Sequence, residues 1–453
     1  MTGRSNGCAI LSVAFRSVCG MSVLRVVEPV GPPSGDVVVA RLDGLLAELA
    51  GLVADDSWVG DAVRIDRLDR LERVRSVIAA VQTAEMVRFA QSQVAQQLAA
   101  DIHPKRIGQG VADQIGLACR VSPWEGSRRL GVARALWFDL PETYAQLTRG
   151  SLSERVAVQV VTETRHLDAV QRRAVDGLVN AAGIGRMGIR AAARCARRHA
   201  YEADPKGYVA RGRTERTHRR VSLRAAPDTM ALLTGYLPVE QGVACWAALR
   251  TQTDALTATG DVRSRDQIMA DLLVERLTGQ ASAEDVNVEI QLMMPLDSLL
   301  DPMVERAAQL LGFGPLPGPV AREVVLGSKG RRWWRRLFTH PAGGSGMAII
   351  GGDPHRRRFD GWLAQLIRLR DQTCRDPYCE APIRHSDHVV PFRAGGPTTL
   401  ANGRGVCARG NYVREMPGWT VDLIGNGLIG RPHTIQITTP TGHRYTSEAP
   451  QPP

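Results

Sequence analysis

Near the carboxyl end of this chain of 453 residues, the adjacent pair Asp387-His388 is followed at intervals by two asparagines, Asn402 and Asn411. Carboxylate and carboxamide oxygens are hard ligands that suit Mg²⁺ or Mn²⁺. An imidazole has an unperturbed pKa of about 6.5, so His388 can accept a proton near neutral pH. If the fold brings these four side chains together, they can hold a divalent cation and activate a water molecule beside it.

The sequence around these residues predicts two short strands joined by a Gly-Pro loop and followed by a helix. Residues 385–391 alternate enough to form a strand, and the Gly-Gly-Pro run at 395–397 breaks it. The stretch 408–416 is typical of a helix, and Pro-Gly at 417–418 ends it. The acidic residue and the histidine therefore lie on the strand, the first asparagine on the loop and the second on the helix. A unit of this size can place all four side chains around one cation.

This arrangement resembles the ββα-metal core of the HNH endonucleases, in an H-N-N variant. The resemblance implies that Asp387 and Asn411 hold a divalent cation, Mg²⁺ or Mn²⁺. It also implies that His388 is the general base for an attacking water and that Asn402 orients it. Each residue taken singly has an equally good structural interpretation, as part of a polar pair on a strand edge or as a turn or cap residue.

Three cysteines flank this segment, with Cys374 and Cys379 in C-x4-C spacing and Cys407 just before the predicted helix. Many HNH modules join their halves with a structural zinc ion on two cysteine pairs. The second pair would have C-x2-C spacing, but the expected fourth position is occupied by Gly410. Three interpretations stay open: a zinc site completed by a side chain such as His385, a degenerate site without zinc, or reduced structural thiols.

The charge balance favours a nucleic-acid partner. The chain carries 57 Lys and Arg against 46 Asp and Glu, a net charge of +11, and only Lys105, Lys206 and Lys329 are lysines. Arginine binds phosphate through two parallel hydrogen bonds, which suits DNA, although a GC-rich genome would also favour arginine codons. The candidate phosphate contacts near the predicted site are Arg384, Arg393, Arg404 and Arg414.

Composition also bounds the location of the protein. Five of the eight cysteines lie outside the cluster described above and do not suggest a disulfide framework. No apolar run approaches the roughly 18 residues of a membrane-spanning helix. We therefore expect a cytoplasmic protein that does not cross a membrane.

The domain organisation follows from helical periodicity and from a second resemblance. Residues 118–136, 152–164 and 263–279 resemble the helical domain of unknown function that precedes HNH modules in the 13E12 repeat family of high-GC bacteria. We expect a mainly α N-terminal helical bundle, an α+β connector and a C-terminal ββα-metal module. The expected boundaries are a disordered tail over 1–36, the bundle over 37–220, the connector over 221–345, the nuclease module over 346–435 and a C-terminal tail over 436–453.

Within the bundle, the sequence predicts a long helix over 66–99 and shorter helices over 110–119, 123–136, 141–149, 152–165 and 168–181. The resulting hypothesis is a metal-dependent HNH endonuclease that hydrolyses DNA phosphodiester bonds. One alternative is a catalytically degenerate DNA-binding or regulatory protein, with Gly410 as a mark of decay. Another is a structural or interaction protein that uses the helical bundle as a scaffold.

Overall fold

The structure is a computed structural model that describes residues 35–54, 59–282, 292–294, 300–301, 303, 306–310, 314–327, 339–342, 346–349, 358–427 and 432–450. The chain divides into two units, residues 1–115 with 124–210 and residues 116–123 with 211–453. Among the described helices, none combines the length and the apolar character needed to cross a bilayer.

The regular secondary structure described over residues 35–54 and 59–217 is helical. Its helices are α1 Gly35–Gly51, α2 Asp61–Ala99, α3 Val111–Ala118, α4 Pro123–Phe138, α5 Pro141–Thr148, α6 Glu154–Thr164, α7 Ala169–Ala181, α8 Ile189–Ala203 and α9 Pro205–Thr217. Local signals set several of the starts. Proline opens α4 and α5, where its missing N–H costs nothing. Ser153 caps α6, and Asp168 forms a capping box with Gln171 at α7. The predicted helices from 110 to 181 are confirmed with small shifts at their ends.

The core of the first unit is built from the inward faces of α2 and α4 to α8. On α8 that face consists of Ala192, Ala196 and Ala200, all fully buried at intervals of four residues. Such small side chains allow α8 to approach its neighbours closely. At the start of α5, the buried Asp176 carboxylate accepts the backbone N–H groups of Glu142 at 2.7 Å and Thr143 at 3.2 Å. The carboxylate satisfies amides that the helix itself leaves without partners.

The second unit combines helices with small antiparallel sheets, as the α+β expectation required. Its elements are β1 Arg220–Ala225, β2 Ala231–Tyr236, α10 Val239–Ala258, α11 Arg265–Thr278, β3 Leu292–Met293, β4 Ala308–Leu310, β5 Gly314–Leu316, α12 Gly318–Gly327, β6 Thr339–Ala342, β7 Gly346–Ile349, α13 Gly361–Asp371, β8 His385–His388, β9 Gly403–Val406, α14 Ala408–Val413, β10 Thr420–Asn426, β11 His433–Thr438 and β12 Arg444–Glu448. The sheets are β1-β2, β3-β4-β5, β6-β7, β8-β9 and β10-β11-β12.

The expected C-terminal tail over 436–453 is corrected by the last sheet. β11 and β12 pair from Thr434 opposite Glu448 to Thr438 opposite Arg444, so the chain is ordered in strands well beyond residue 436. Alternating isoleucines bury one face of β11, and Arg375 donates to the backbone carbonyls of His433 and Ser447. The expected N-terminal tail over 1–36 lies outside the described residues except at its end, where α1 begins.

Candidate metal centre and strand-loop-helix site

Glycines in β9 allow the strand to lie directly against its neighbours. A Cβ atom on Gly403 would lie 2.5 Å from Ile367 Cδ1, and one on Gly405 would lie 2.4 Å from Ile383 Cδ1. Both separations are far inside van der Waals contact, so a larger residue at either position would require the isoleucine packed against it to move.

The end of α13 fixes β9 through a buried ion pair. Arg370 donates to Asp371 at 2.7 Å and also to the carbonyls of Leu400 and Gly403, each at 2.6 Å. The Asp371 carboxylate accepts the Gly405 N–H at 2.6 Å. Because both charged groups are paired and also satisfy backbone groups of the strand, their burial is compensated.

The structure places the four predicted site residues on the predicted kinds of element. Asp387 and His388 end β8, which pairs antiparallel with β9. Asn402 lies in the loop immediately before β9, and Asn411 lies on α14. Strand β8 stops at residue 388 rather than 391, and α14 stops at residue 413 rather than 416.

The imidazole of His388 is partly exposed and is held by a hydroxyl group and two aromatic rings. Its Nε2 atom lies 2.9 Å from Thr398 Oγ1. Its ring centroid lies 4.4 Å from that of Phe359 and 5.8 Å from that of Phe392. These contacts fix the plane of the ring at the end of β8.

Asn402 is buried, and its carboxamide binds the backbone of the loop rather than facing the site. Its Oδ1 accepts the Val390 N–H at 2.8 Å, and its Nδ2 donates to the carbonyls of Val390 at 3.0 Å and Pro397 at 2.8 Å. This differs from the expected direct role in orienting the base or its water. Asn402 instead holds the loop that carries Thr398, the residue that contacts His388.

The Asp387 carboxylate lies between two arginines. Its Oδ2 atom accepts from Arg404 at 3.1 and 3.3 Å and from Arg414 at 2.5 Å. Arg414 also donates to the carbonyls of His388 and Val389. The net charge of Asp387 and its two arginine partners is therefore neutral or positive. This charge opposes the binding of a divalent cation at Asp387.

Two of the four arginines expected to contact phosphate are buried, which corrects the expectation for these two. The Arg404 side chain is 1% exposed and binds Asp376 and Asp387, and the Arg414 side chain is 10% exposed. Burial alone would lower the pKa of Arg404, but the two carboxylates raise it, so this guanidinium stays charged. Both arginines stabilise the fold and neither is presented to a phosphate. Arg384 and Arg393 are exposed.

The three cysteines predicted as metal ligands come together. The sulphur atoms of Cys374, Cys379 and Cys407 all lie within 4.8 Å of one another, and the last two are 3.8 Å apart. Tetrahedral zinc with Zn–S bonds of about 2.3 Å has sulphur atoms about 3.8 Å apart. The donor set and its spacing therefore fit a tetrahedral thiophilic ion, and the group could hold a metal ion.

The protonation of these thiols shows why a cation suits the cluster. Hydrogen bonds from Cys374 and Cys379 lower the pKa of Cys407 to about 2, aided by the N–H groups of Gly410 and Arg409. The hydrogen bond from Cys374 favours the Cys379 thiolate, but its bond to Cys407 and burial prevail and raise the pKa of Cys379 to about 12. The pKa of Cys374 is also raised, first by its bonds to the other two thiols and then by burial. Without a cation, one thiolate forms and discourages ionisation of the others.

His385 does not join this group. It is exposed on β8, and the metal-ligand cluster found among the described residues contains only the three thiols. Neither His385 nor any carboxylate belongs to that group, so the structure shows no fourth ligand among the described residues. Asp376, which was not predicted as a site residue, lies nearer to the position of the missing cysteine than His385 does. Its signal was an acidic residue between two cysteines, in CRDPYC.

Comparison with known proteins gives a family match that includes much of the helical part of the chain. Residues 70–292 match the model of a family described as a domain of unknown function, DUF222. This shows the coarser part of the expected resemblance, a match to a domain family of unknown function over residues 70–292. The DUF222 match ends before β4 and includes neither the thiol cluster nor the strand-loop-helix site. No solved structure matches the chain.

The similar proteins are mycobacterial. The chain is 31% identical over 144 residues to the uncharacterized protein Rv3776 of Mycobacterium tuberculosis strain H37Rv, and 29% identical over 151 residues to the uncharacterized protein Rv2100 of the same strain. These alignments cover 31% and 32% of this chain. They span 24% of each relative, so the chain matches about a quarter of the length of these curated relatives.

Proposed function

We propose that this protein is a metal-dependent endonuclease of the HNH type that hydrolyses phosphodiester bonds in DNA. The observation that carries the proposal is the setting of His388, a partly exposed imidazole that follows Asp387 at the end of β8. Its ring is held by Thr398 and Phe359. A general base needs a fixed orientation and access to water, and this ring has both.

In the proposed reaction, His388 takes a proton from water as the water oxygen attacks phosphorus. The bond from phosphorus to the leaving sugar oxygen then breaks. Thr398 keeps the imidazole aligned during the proton transfer, and Asn402 keeps the Thr398 loop in place. Asn402 is thus a positioning residue in this scheme.

The cation proposed for this site is Mg²⁺ or Mn²⁺, with Asp387 and Asn411 as its protein ligands. Among the described residues, the hydrogen bonds to the Asp387 carboxylate all end on Oδ2, so Oδ1 is the donor that fits a hard cation. The carboxamide oxygen of Asn411 would be the second donor. When bound, the cation would stabilise charge on the leaving oxygen.

DNA is the proposed partner, with the exposed Arg384 and Arg393 as candidate phosphate contacts. The net charge of +11 supports an anionic partner. We further propose a structural zinc ion on the three clustered thiols. The free cysteines suit a reducing compartment, so the proposed location is the cytoplasm.

One observation favours a second function, a catalytically silent DNA-binding protein. Two guanidiniums already neutralise the Asp387 carboxylate, and they could replace the cation permanently. In that case Asp387 would stabilise the fold rather than bind a metal ion.

A plasmid-nicking assay with Mg²⁺ or Mn²⁺ tests both functions. The full chain should nick supercoiled DNA, and His388→Ala should reduce the rate by about 10²- to 10⁴-fold, the usual contribution of a general base. His385→Ala is the matched control, because this exposed histidine lies on the same strand and should leave the rate unchanged. DNA binding in a gel-shift assay without cleavage by the wild type would establish the silent alternative. Loss of binding as well as cleavage would refute both.

A further inference from the structure

The carboxylate of Asp376 occupies the space that a side chain at position 410 would fill. A Cβ atom built on Gly410 would lie 1.8 Å from Asp376 Oδ2 and 2.9 Å from its Cγ. Two such atoms cannot coexist, so glycine at position 410 and the carboxylate of Asp376 depend on each other. The shorter separation is close to a carbon–sulphur bond length, so Oδ2 lies about as far from this Cβ as a cysteine sulphur would.

Position 410 faces the thiol cluster. Cys407 is the N-cap of α14, and its sulphur accepts the Gly410 N–H at 3.3 Å. Position 410 is three residues further along, which is the spacing that lets two cysteines bind one zinc ion from a helix start. The Asp376 oxygen that takes the place of the missing sulphur therefore lies against the residue whose N–H binds Cys407.

We propose that Asp376 supplies the fourth ligand, through a carboxylate oxygen, to a metal ion held by the thiolates of Cys374, Cys379 and Cys407. Zinc accepts aspartate oxygens at about 2.0–2.2 Å alongside thiolates at about 2.3 Å. In the structure the carboxylate lies against Gly410 and outside the group of three sulphurs, so its side chain would have to turn toward the thiols to bind the ion. Gly410 then marks an exchange of one ligand for another rather than decay of the site.

Arg404 supports this assignment from the other side of the carboxylate. Its guanidinium is buried and donates to Asp376 Oδ1 at 3.0 Å, while Oδ2 faces Gly410. A hydrogen bond to the outer oxygen orients a metal-binding carboxylate. The positive charge also offsets part of the excess negative charge of three thiolates and one carboxylate around a divalent ion.

This inference rests on the proposed structural metal but not on nuclease activity, so its test is metal binding by the full chain. The wild type, expressed with zinc, should contain one zinc ion per chain by elemental analysis. Asp376→Asn should bind zinc at least 10-fold more weakly in chelator competition, since loss of an outer-shell partner alone costs about 10- to 100-fold. The cobalt-substituted protein should show a change in its d–d absorption bands in the same variant.

Two controls separate metal ligation from a structural role. Asp422→Asn, which removes an exposed carboxylate on β10, should retain the zinc affinity of the wild type. The double variant Asp376→Ala with Gly410→Cys should regain tight binding, with a cobalt spectrum typical of four thiolates.

The outcomes separate the role of Asp376 from the presence of the structural metal ion. One zinc ion per chain with unchanged affinity and cobalt spectrum in Asp376→Asn would overturn the role of Asp376 alone. A wild type that holds no zinc would overturn the structural metal as well. If Asp376→Asn does not fold, X-ray absorption of wild-type zinc decides: three sulphurs and one oxygen, replaced by four sulphurs in the double variant, support the inference. A nitrogen ligand in the wild type overturns it.

Discussion

Acidification should destabilise the fold around β11, because His433 is buried there in its neutral form. Its side chain is 2% exposed, and Nε2 donates to the Ala401 carbonyl at 2.9 Å. Its Nδ1 atom is buried with no hydrogen-bond partner among the described residues. Burial, followed by the charge of Arg370, lowers the pKa of His433 to about 3, with Arg375 acting in the same direction and Asp371 opposing.

The sign and size of the effect follow from this depressed pKa. As the pH falls below about 6.5, the unfolded chain binds a proton at His433 while the folded chain does not. Stability is therefore fully present above about pH 6.5 and is lost progressively as the pH approaches the folded pKa. With about 1.4 kcal/mol per pH unit, the loss between about pH 7 and pH 5 is roughly 2 kcal/mol.

Urea denaturation of the wild type and of His433→Gln over this pH range measures the effect. Glutamine can keep a donor to Ala401 but does not titrate, so the difference in free energy of unfolding between the two proteins should shrink as the pH falls. His443→Gln, at an exposed histidine between β11 and β12, should leave the pH dependence of the wild type intact. A slope that His433→Gln does not reduce would refute the argument, as would an NMR titration of the His433 ring near its unperturbed pKa.

Two further predictions concern the loop and the buried arginine of the candidate site. Asn402→Ala should cost about 1–3 kcal/mol of stability by leaving the Val390 N–H without its acceptor, and the amide hydrogen exchange of Val390 should speed up accordingly. Unchanged exchange would show that the loop does not depend on Asn402. Arg404→Met should cost about 1.5–3 kcal/mol, because it removes charge-assisted hydrogen bonds to two partly buried carboxylates, whereas Arg384→Met at an exposed position should cost less than about 0.5 kcal/mol. Equal denaturation midpoints for these two variants would contradict the structural role of Arg404.

The helices could be predicted because their signals are local. Proline at the first position of α4 and α5 and serine or aspartate at the caps of α6 and α7 are visible in a few consecutive residues. Strands β11 and β12 were missed, although β11 alternates isoleucine with polar residues. What makes that alternation a buried strand is pairing with β10 and β12 and the hydrogen bonds from Arg375. These contacts join residues far apart in sequence.

The candidate site shows the same division between local and distant information. The spacing of Asp387, His388 and Asn411 and of the three cysteines could be read from consecutive residues, and the structure places them on the expected elements. The partners of the charged groups could not be read from the sequence. The sequence around each arginine does not show that Arg404 is buried between two carboxylates while Arg393 is exposed. Each of the two follows a short apolar or glycine-rich stretch.

The position of Arg404 links the two candidate metal sites. Some of its guanidinium N–H groups donate to Asp376, near the thiol cluster. Others donate to Asp387, the residue before His388. Because the group is buried, neither ion pair can be exchanged for water without a large cost. A change in the thiol cluster that moves Asp376 must therefore either draw Arg404 with it or leave that guanidinium held by Asp387 alone. In the first case the charge around Asp387 changes, so a metal ion bound at the thiols and a cation bound at Asp387, as proposed, would be coupled through this one side chain.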